Sequence, residues 1–270
     1  MRAIRVLTLN LWSDTGDVER RLSTVIPQIR ALSPELIALQ EVRQGGRTSQ
    51  AAALASALGH EWRFGCVDPE SAGGPIGNAV LSRFPIRAED TLRLPSRRTH
   101  DPRNALRCDV ETPAGRLVFI STHLSWELDA SATREEQAVV LDRWARERPG
   151  DLPTVMCGDF NCTPDSSVHQ FLTGRTSLRG ESTYWRDAYQ RRHPNSDGYT
   201  WSAKNPYAAR SVERNRRIDF VFVGPMREGG PGAILHARVV LDLPTADGVY
   251  PSDHFGVFAE IATRWVDNPL

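Results

Sequence analysis

Short segments of alternating or continuous hydrophobic residues, separated by turn residues, run along most of the chain. Period-two alternation and short apolar runs are typical of β-strands, whereas apolar residues three or four positions apart are typical of helices. Strands are predicted at 4–11, 36–42, 62–66, 77–82, 86–94, 105–111, 116–122, 153–156, 217–223, 233–242 and 254–262. Helices are predicted at about 18–32, 49–58, 133–148 and 165–173.

The order of these segments predicts an α/β (α+β) fold. A strand, a helix and a second strand follow one another within about the first 40 residues, which is the start of a βαβ unit. The segment 36–42 is almost entirely apolar, as in a strand buried on both faces. Thr133 and Glu136 form a capping-box pattern, so the third helix is predicted to begin there. No segment has the length of a linker, and we predict a single domain over residues 1–270.

The composition is that of an ordinary soluble globular protein. Hydrophobic residues make up 40% of the chain and charged residues 24%, which is the usual balance. No apolar run approaches the roughly 20 residues that a membrane span needs, and no secretion signal is recognised near the N-terminus. We therefore expect a cytoplasmic protein without stable membrane insertion. No protein partner is indicated, and a monomer is expected.

Charge and cysteine content exclude some classes of function. The formal net charge is zero, which argues against a broad basic surface that would bind nucleic acid without specificity. The four cysteines contain no C-x-x-C pair, so neither a zinc site nor a disulfide framework is indicated.

Polar residues recur where the predicted strands end. Those at or just past a strand end are Asn10, Glu41, His123, Asp159, Asn161 and His254, while Asp219 lies within a strand and Asp253 precedes His254. Each residue alone fits an ordinary role as a turn former, a core histidine or a surface acid. Ligand sites of sheet-based α/β folds gather at such strand ends, so the recurrence favours one shared site.

These side chains suit phosphoester chemistry. Asp159 and Asn161 are two positions apart, so in an extended segment they project to the same face and can hold a nucleophilic water near a phosphate. Glu41 and Asn10 offer oxygen ligands for a hard cation such as Mg²⁺ or Mn²⁺. A carboxylate beside His254 would orient its imidazole.

Seven short motifs carry these residues. In chain order they are LNLW at 9–12, LQEV at 39–42, GNAVLSR at 77–83, STHL at 121–124, GDFN at 158–161, RIDFV at 217–221 and SDHF at 252–255. The ordered set resembles the endonuclease/exonuclease/phosphatase superfamily, which includes pancreatic deoxyribonuclease, over about residues 3–262. The resemblance implies a four-layer α/β/β/α sandwich, with two mixed β-sheets face to face and helices outside.

The resemblance also implies roles for the site residues. Glu41 and Asn10 would be metal ligands, with Asp253 as a possible ligand of a second ion. Asp159 and Asn161 would orient the attacking water. His254, paired with Asp219, would contact the scissile phosphate, and His123 would be a second donor to it. The position of His123 is tyrosine in AP endonucleases, so the chain departs from that pattern. The implied function is that of a Mg²⁺- or Mn²⁺-dependent phosphodiesterase that cleaves a P–O bond by in-line attack of an activated water.

The substrate is less well defined by the sequence. The substrate-binding candidates are Asn78 from the motif GNAVLSR, Trp201 from the loop region that also holds the basic segment 214–217, and Arg103. Arg103 ends the basic segment 97–103 and is expected to form a fork with a phosphate. An aromatic ring such as Trp201 or Tyr207 could stack on a base, which favours a nucleic acid end or a nucleotide. A phospholipid, an inositol phosphate or a small phosphorylated metabolite stays open, although no apolar tip for membrane docking is recognised. A catalytically silent binding protein on the same fold is the third alternative.

Overall fold

The computed structural model describes residues 2–45, 49–96, 101–209, 211–213, 215–226 and 230–264. The helices are α1 (Val18–Leu32), α2 (Gln50–Leu58), α3 (Ser131–Glu147), α4 (Ser167–Leu172) and α5 (Ala188–Arg192). The strands are β1 (Ala3–Asn10), β2 (Leu36–Arg43), β3 (Glu61–Asp68), β4 (Ile76–Ser82), β5 (Ile86–Leu94), β6 (Arg103–Thr112), β7 (Gly115–His123), β8 (Val155–Asp159), β9 (Arg186–Asp187), β10 (Trp201–Ser202), β11 (Asn215–Arg216), β12 (Asp219–Val223), β13 (Ile234–Val240) and β14 (Gly256–Ala262). Arg97, Arg98 and Arg214, from the predicted basic segments, lie outside the described residues.

Two mixed sheets of six strands each form the centre of the fold. The first sheet has the strand order β13-β14-β1-β2-β4-β3, and the second has the order β5-β6-β7-β8-β12-β9. Each contains one parallel pair, β1 with β2 and β7 with β8, among antiparallel neighbours. The strands β10 and β11 pair separately as a two-stranded ribbon. The predicted pair of mixed sheets is confirmed.

The alternation of side chains along each strand builds four layers. On β1, Val6 packs between the two sheets, against side chains such as Phe119 of the second sheet. The intervening residue Leu7 faces outward and packs with α1 and α2. On the far side, the outer face of the second sheet packs against α3 and α4. Helices therefore cover both outer faces, as the four-layer prediction requires.

The rows of side chains between the sheets change from apolar to polar toward one edge. On β1, Ile4 and Val6 are followed on the same face by Thr8 and Asn10, all of them buried. Hydrogen bonds cross the gap there, from the Gln40 Nε2 atom to Ser121 Oγ at 3.0 Å. Because buried polar groups are stable only when they are hydrogen-bonded, these bonds stabilise the polar edge between the two sheets.

One sequence prediction for local structure is wrong, and two short elements were not predicted. Helix α3 begins at Ser131 after the N-cap residue Ala130, which makes no side-chain cap. Thr133 lies in the first turn, where its backbone N–H donates to Ala130 O, so it is not the cap. The short elements β9 and α5 lie in a stretch where no strand or helix was predicted, because they are too brief to show a periodic pattern.

Replacing Gly158 by alanine is expected to destabilise the fold by about 3–5 kcal/mol. Gly158 pairs with Thr122 of the neighbouring strand, and a Cβ atom would lie 1.9 Å from the Thr122 carbonyl oxygen, at a φ of 153°. The free energy of unfolding from urea denaturation measures the effect. Gly59→Ala is the matched control, because Gly59 also has a positive φ, 69°, but nothing lies within 4 Å of its added Cβ. Equal losses in the two variants would contradict the steric explanation.

Among the described residues, no helix is both long enough and apolar enough to cross a membrane.

Candidate active site

The polar edge of the two sheets opens into a cleft of about 600 Å³. Strands β1 and β2 end at this edge in one sheet, and β7 and β8 end there in the other. Strand β12 runs antiparallel to β8 and begins there. Residue pairing places Asp159 of β8 between His123 of β7 and Asp219 of β12. The predicted polar residues from both sheets therefore meet at one place.

Asp219 and His254 form a buried pair in the wall of the cleft. His254 Nδ1 lies 2.9 Å from Asp219 Oδ2, and Asp219 is fully buried. Burial alone would lower the pKa of His254, but Asp219 and two further carboxylates outweigh it and raise that pKa well above its ordinary value. The imidazole is thus held in one orientation as an imidazolium.

Thr200 fixes the backbone around this pair. Its hydroxyl oxygen accepts hydrogen bonds from the backbone N–H groups of Ile218, at 3.1 Å, and Asp219, at 3.2 Å. Its carbonyl oxygen accepts from the N–H of Phe255, the residue after His254, at 2.7 Å. One residue therefore joins the chain segments that carry both members of the pair.

Asp159 lies within reach of the imidazolium and is held by its own loop. Asp159 Oδ2 is 3.7 Å from His254 Nε2, and Oδ1 accepts the backbone N–H of Asn161 at 2.9 Å. Burial, with the charge of Asp219 as the second cause, raises the pKa of Asp159 to about 7. Asn161 adopts a left-handed backbone, φ 48°, and its side-chain amide nitrogen lies 3.1 Å from His123 Nε2 and donates to the Leu124 carbonyl oxygen. A carboxyl group with a pKa near neutrality is suited to accept a proton.

Of the three predicted metal ligands, Glu41 and Asp253 line the cleft, and Asn10 joins Glu41 to Asp159. The Asn10 amide nitrogen donates to Glu41 Oε1 at 3.0 Å and to Asp159 Oδ2 at 3.1 Å, while Asn10 Oδ1 accepts from the Trp12 N–H. Glu41 sits at an irregularity in the pairing of β2 with β4, with a φ of 53°. Such bulges re-aim side chains beside active sites. Burial raises the pKa of Asp253 to about 6, and the charge of Glu41 acts in the same direction.

His123 and Arg103 are in direct contact in the lining of the cleft. Arg103 Nη1 lies 2.9 Å from Nδ1 and 3.1 Å from Nε2 of His123, and its Nη2 pairs with Asp101 at 2.5 Å. Burial, then the charge of Arg103, keeps the pKa of His123 well below its ordinary value. The imidazole is therefore neutral, and the Arg103 guanidinium is engaged by the protein itself. Its role as a phosphate fork stays a prediction.

The other two substrate-binding candidates also line the cleft. The Asn78 amide nitrogen donates to the backbone and side-chain oxygens of Asn104, at 2.9 and 2.7 Å, which commits both of its N–H groups. Trp201 packs edge-on against the His254 ring, with ring centroids 4.8 Å apart. Tyr207, the other aromatic considered for base stacking, is stacked on Trp12 instead.

Comparison with known proteins places this geometry in a family. The model of the Endonuclease/Exonuclease/phosphatase family matches residues 7–254. The chain belongs to that family. The family assignment made from the seven motifs is thereby confirmed.

Relatives within the Endonuclease/Exonuclease/phosphatase family include Nocturnin of Drosophila melanogaster, which is 26% identical over 90% of this chain. That alignment spans only 41% of the Drosophila protein. Among solved structures, D. rerio TDP2 in complex with a single-strand DNA product superposes with a TM-score of 0.78 at 19% identity, over 96% of this chain and 98% of that one. The human Nocturnin catalytic domain with bound sulfate gives a TM-score of 0.68 at 22% identity, over 97% and 95%. These structural matches establish the shared fold.

Members of this family typically use a divalent metal ion, and the donor set of the cleft fits one. Asp159, Asp219 and His254 are buried and place donor atoms within 4.8 Å of one another. Within the described ranges, no arginine or lysine forms an ion pair with Glu41, Asp159 or Asp253, and no group donates to the buried Asp219 Oδ1. Burial is the largest cause of the raised pKa of Asp159 and of Asp253, and the charges of Asp219 and Glu41 act in the same direction. A bound cation would favour the ionised form of both carboxyl groups.

Two features of the cleft were not identified from the sequence. Three apolar side chains at its mouth are exposed, Trp126 by 58%, Leu128 by 51% and Val212 by 86%, although no apolar tip was expected. Arg216 also lines the cleft. Its only signal in the sequence was its place in the basic segment 214–217.

Proposed function

We propose that this chain is a Mg²⁺- or Mn²⁺-dependent phosphodiesterase that cleaves a P–O bond by in-line attack of a water molecule. The observation that carries the proposal is the convergence of the Asp219–His254 pair, Asp159, Glu41 and Asp253 at one cleft. A proton acceptor, a cationic donor and a cluster of hard oxygen ligands are the groups that phosphodiester hydrolysis needs.

Each group has a defined part in the proposed reaction. Asp159, with a pKa of about 7, accepts a proton from the attacking water, and Asn161 holds that carboxylate in place. The His254 imidazolium donates from Nε2 to an oxygen of the scissile phosphate, while Asp219 holds Nδ1. Neutral His123 lines the same wall and offers a further polar contact to the phosphate. Electrostatic groups fixed in advance are usually the largest contribution to such catalysis.

The cation is proposed to bind to Glu41, Asp253 and Asn10, as the family resemblance implies. When bound, Mg²⁺ or Mn²⁺ stabilises charge that develops on the phosphoryl oxygens and the leaving group. The buried group of Asp159, Asp219 and His254 is less suited, because a doubly protonated His254 has no free lone pair for a metal. Glu41 and Asp253 offer the hard oxygen ligands that Mg²⁺ prefers.

The favoured substrate is a nucleic acid end or a nucleotide. TDP2, which shares the fold, was crystallised with a single-strand DNA product, and Trp126 and Trp201 line the cleft. Aromatic side chains beside a phosphate site are suited to stack on an unpaired base. The alternative, a phospholipid, an inositol phosphate or a small phosphorylated metabolite, gains support from the exposed apolar side chains at the cleft mouth, which suit a lipid.

A panel of substrates with Mg²⁺ tests the proposal. It comprises single-stranded and duplex DNA, RNA, nucleotides, inositol phosphates and sphingomyelin, with bis(p-nitrophenyl) phosphate as a generic diester. We expect the highest kcat/KM on a nucleotide or a single-stranded end. Faster hydrolysis of sphingomyelin or an inositol phosphate would favour the alternative. Absence of hydrolysis across the whole panel would show that the proposed reaction is wrong.

A further inference from the structure

Arg216 is fixed at a defined position relative to the catalytic histidine. It lies on β11 directly opposite Trp201 of β10, and Trp201 in turn forms a β-bridge with His254. The Arg216 carbonyl oxygen also accepts the N–H of Thr200 at 3.0 Å. Two strand spacings therefore separate the backbones of His254 and Arg216, about 10 Å.

The guanidinium of Arg216 is the uncommitted cation of the cleft. Its one described hydrogen bond is a long one, 3.5 Å from Nη2 to the carbonyl oxygen of Asn161. In the part of the chain that the structure describes, no carboxylate lies within 4.0 Å of it. Arg103, the other arginine that lines the cleft, has its guanidinium held by Asp101 and His123. Arg216 is thus free to bind an anion from outside the protein.

Acidic and basic side chains line the same cleft. Glu41, Asp68 and Asp253 are among its acids, and the backbone of Arg216 lies two strand spacings from that of His254. The proposed cation and the scissile phosphate engage the acids and His254. An arginine fork is well matched to a phosphate group, so Arg216 is placed to bind a second phosphate.

We propose that Arg216 forms an anion subsite that binds a second phosphate of the substrate, beside the scissile one. The substrate class is then a molecule with two phosphates about one nucleotide unit apart, such as a nucleotide esterified on both its 3′ and 5′ oxygens. The uncharged part of that molecule faces Trp126 and Val212 at the cleft mouth. This inference rests on the proposed function, which supplies the position of the scissile phosphate.

Binding of small phosphates tests the subsite without requiring turnover. Titration calorimetry compares thymidine 3′,5′-bisphosphate with thymidine 3′-phosphate and thymidine 5′-phosphate. We expect the native protein to bind the bisphosphate at least about tenfold more tightly than either monophosphate, the usual gain from a charged hydrogen bond. In Arg216→Ala the ratio of the monophosphate to the bisphosphate dissociation constant falls toward one. In Arg216→Lys the ratio is intermediate, because the positive charge remains but the two-pronged guanidinium geometry is lost. A preference that is absent in the native protein, or unchanged in Arg216→Ala, overturns the proposal.

Arg191→Ala is the matched control, since Arg191 is an exposed arginine in a separate groove between Thr173 and Pro194. It should keep the native preference, and loss of preference in this control would also count against a role specific to Arg216. Inositol 1,4-bisphosphate and inositol 1-phosphate form a second pair of ligands. If the Arg216-dependent preference appears with this pair alone, the second phosphate belongs to an inositol phosphate and the nucleotide assignment is overturned.

Turnover separates failure of this inference from failure of the proposed function. Bis(p-nitrophenyl) phosphate carries a single anionic group, so its Mg²⁺-dependent hydrolysis tests the catalytic centre alone. If the native protein does not hydrolyse any phosphoester but keeps the Arg216-dependent preference in binding, the proposed reaction is wrong and the anion subsite stands. If the protein hydrolyses this diester and Arg216→Ala does not change the binding preference, the reaction stands and the subsite is wrong.

Discussion

Replacing His254 by alanine is expected to lower kcat on bis(p-nitrophenyl) phosphate by about 10³- to 10⁴-fold. The imidazolium of His254 is the one cationic donor that the described structure directs beside Asp159, so its loss leaves the developing phosphate charge without that partner. Asp219→Asn should have an effect of similar size. It removes the charge that contributes most to raising the pKa of His254 while keeping the shape of the side chain.

The control for this experiment is His236→Ala, which removes an exposed histidine of β13. Its kcat should match that of the native protein within about twofold, because surface substitutions rarely matter. Thermal unfolding of each variant separates a catalytic effect from loss of the fold, since His254→Ala leaves the Asp219 carboxylate buried without its partner. A folded His254→Ala protein with near-native turnover would show that the histidine has been assigned the wrong role.

Removal of divalent ions by EDTA is expected to abolish hydrolysis, and Mg²⁺ or Mn²⁺ should restore it. Glu41→Gln should raise the Mg²⁺ concentration for half-maximal activity at least about tenfold, because the substitution removes a full negative charge from a hard-oxygen site. Binding of Mn²⁺, followed by electron paramagnetic resonance, gives a readout that does not depend on turnover. The same weakening is expected there.

Glu111→Gln provides the comparison, because Glu111 is an exposed acid of β6 that pairs with Arg87 at the surface. It should bind Mn²⁺ as the native protein does. Hydrolysis that is indifferent to EDTA would exclude the metal-dependent reaction. Unchanged Mn²⁺ binding in Glu41→Gln would instead move the cation to other ligands, of which the Asp159, Asp219 and His254 group is the nearest described.

The fold and the family could be predicted because the informative patterns are local. Alternation identifies the inward row of each strand, so Asn10 and Asp159 are expected on inner faces at strand ends, and the ordered motifs identify the family. The structure brings all the predicted catalytic and metal residues to one cleft. Their individual roles stay predictions, as do the single domain over 1–270, the monomeric state and the cytoplasmic location.

The remaining features depend on contacts between residues far apart in sequence. Arg103 was expected to face a phosphate, but Asp101 and His123 engage its guanidinium. Asn78 donates both N–H groups to Asn104, on a strand of the other sheet. Neither partner can be inferred from a one-dimensional pattern. The β10–β11 ribbon, which places Arg216, is also invisible to periodicity because each of its strands has two residues.

The polar gap between the sheets has a consequence for partly unfolded states of the protein. Asn10 and Glu41 belong to one sheet, whereas Asp159 and Asp219 belong to the other, and bonds such as Gln40 to Ser121 join them. Neither sheet alone contains a complete catalytic group. In a partly unfolded state that keeps both sheets but separates them, the secondary structure is retained while the catalytic residues are no longer together. Loss of enzymatic activity would therefore report separation of the two sheets rather than unfolding of either sheet.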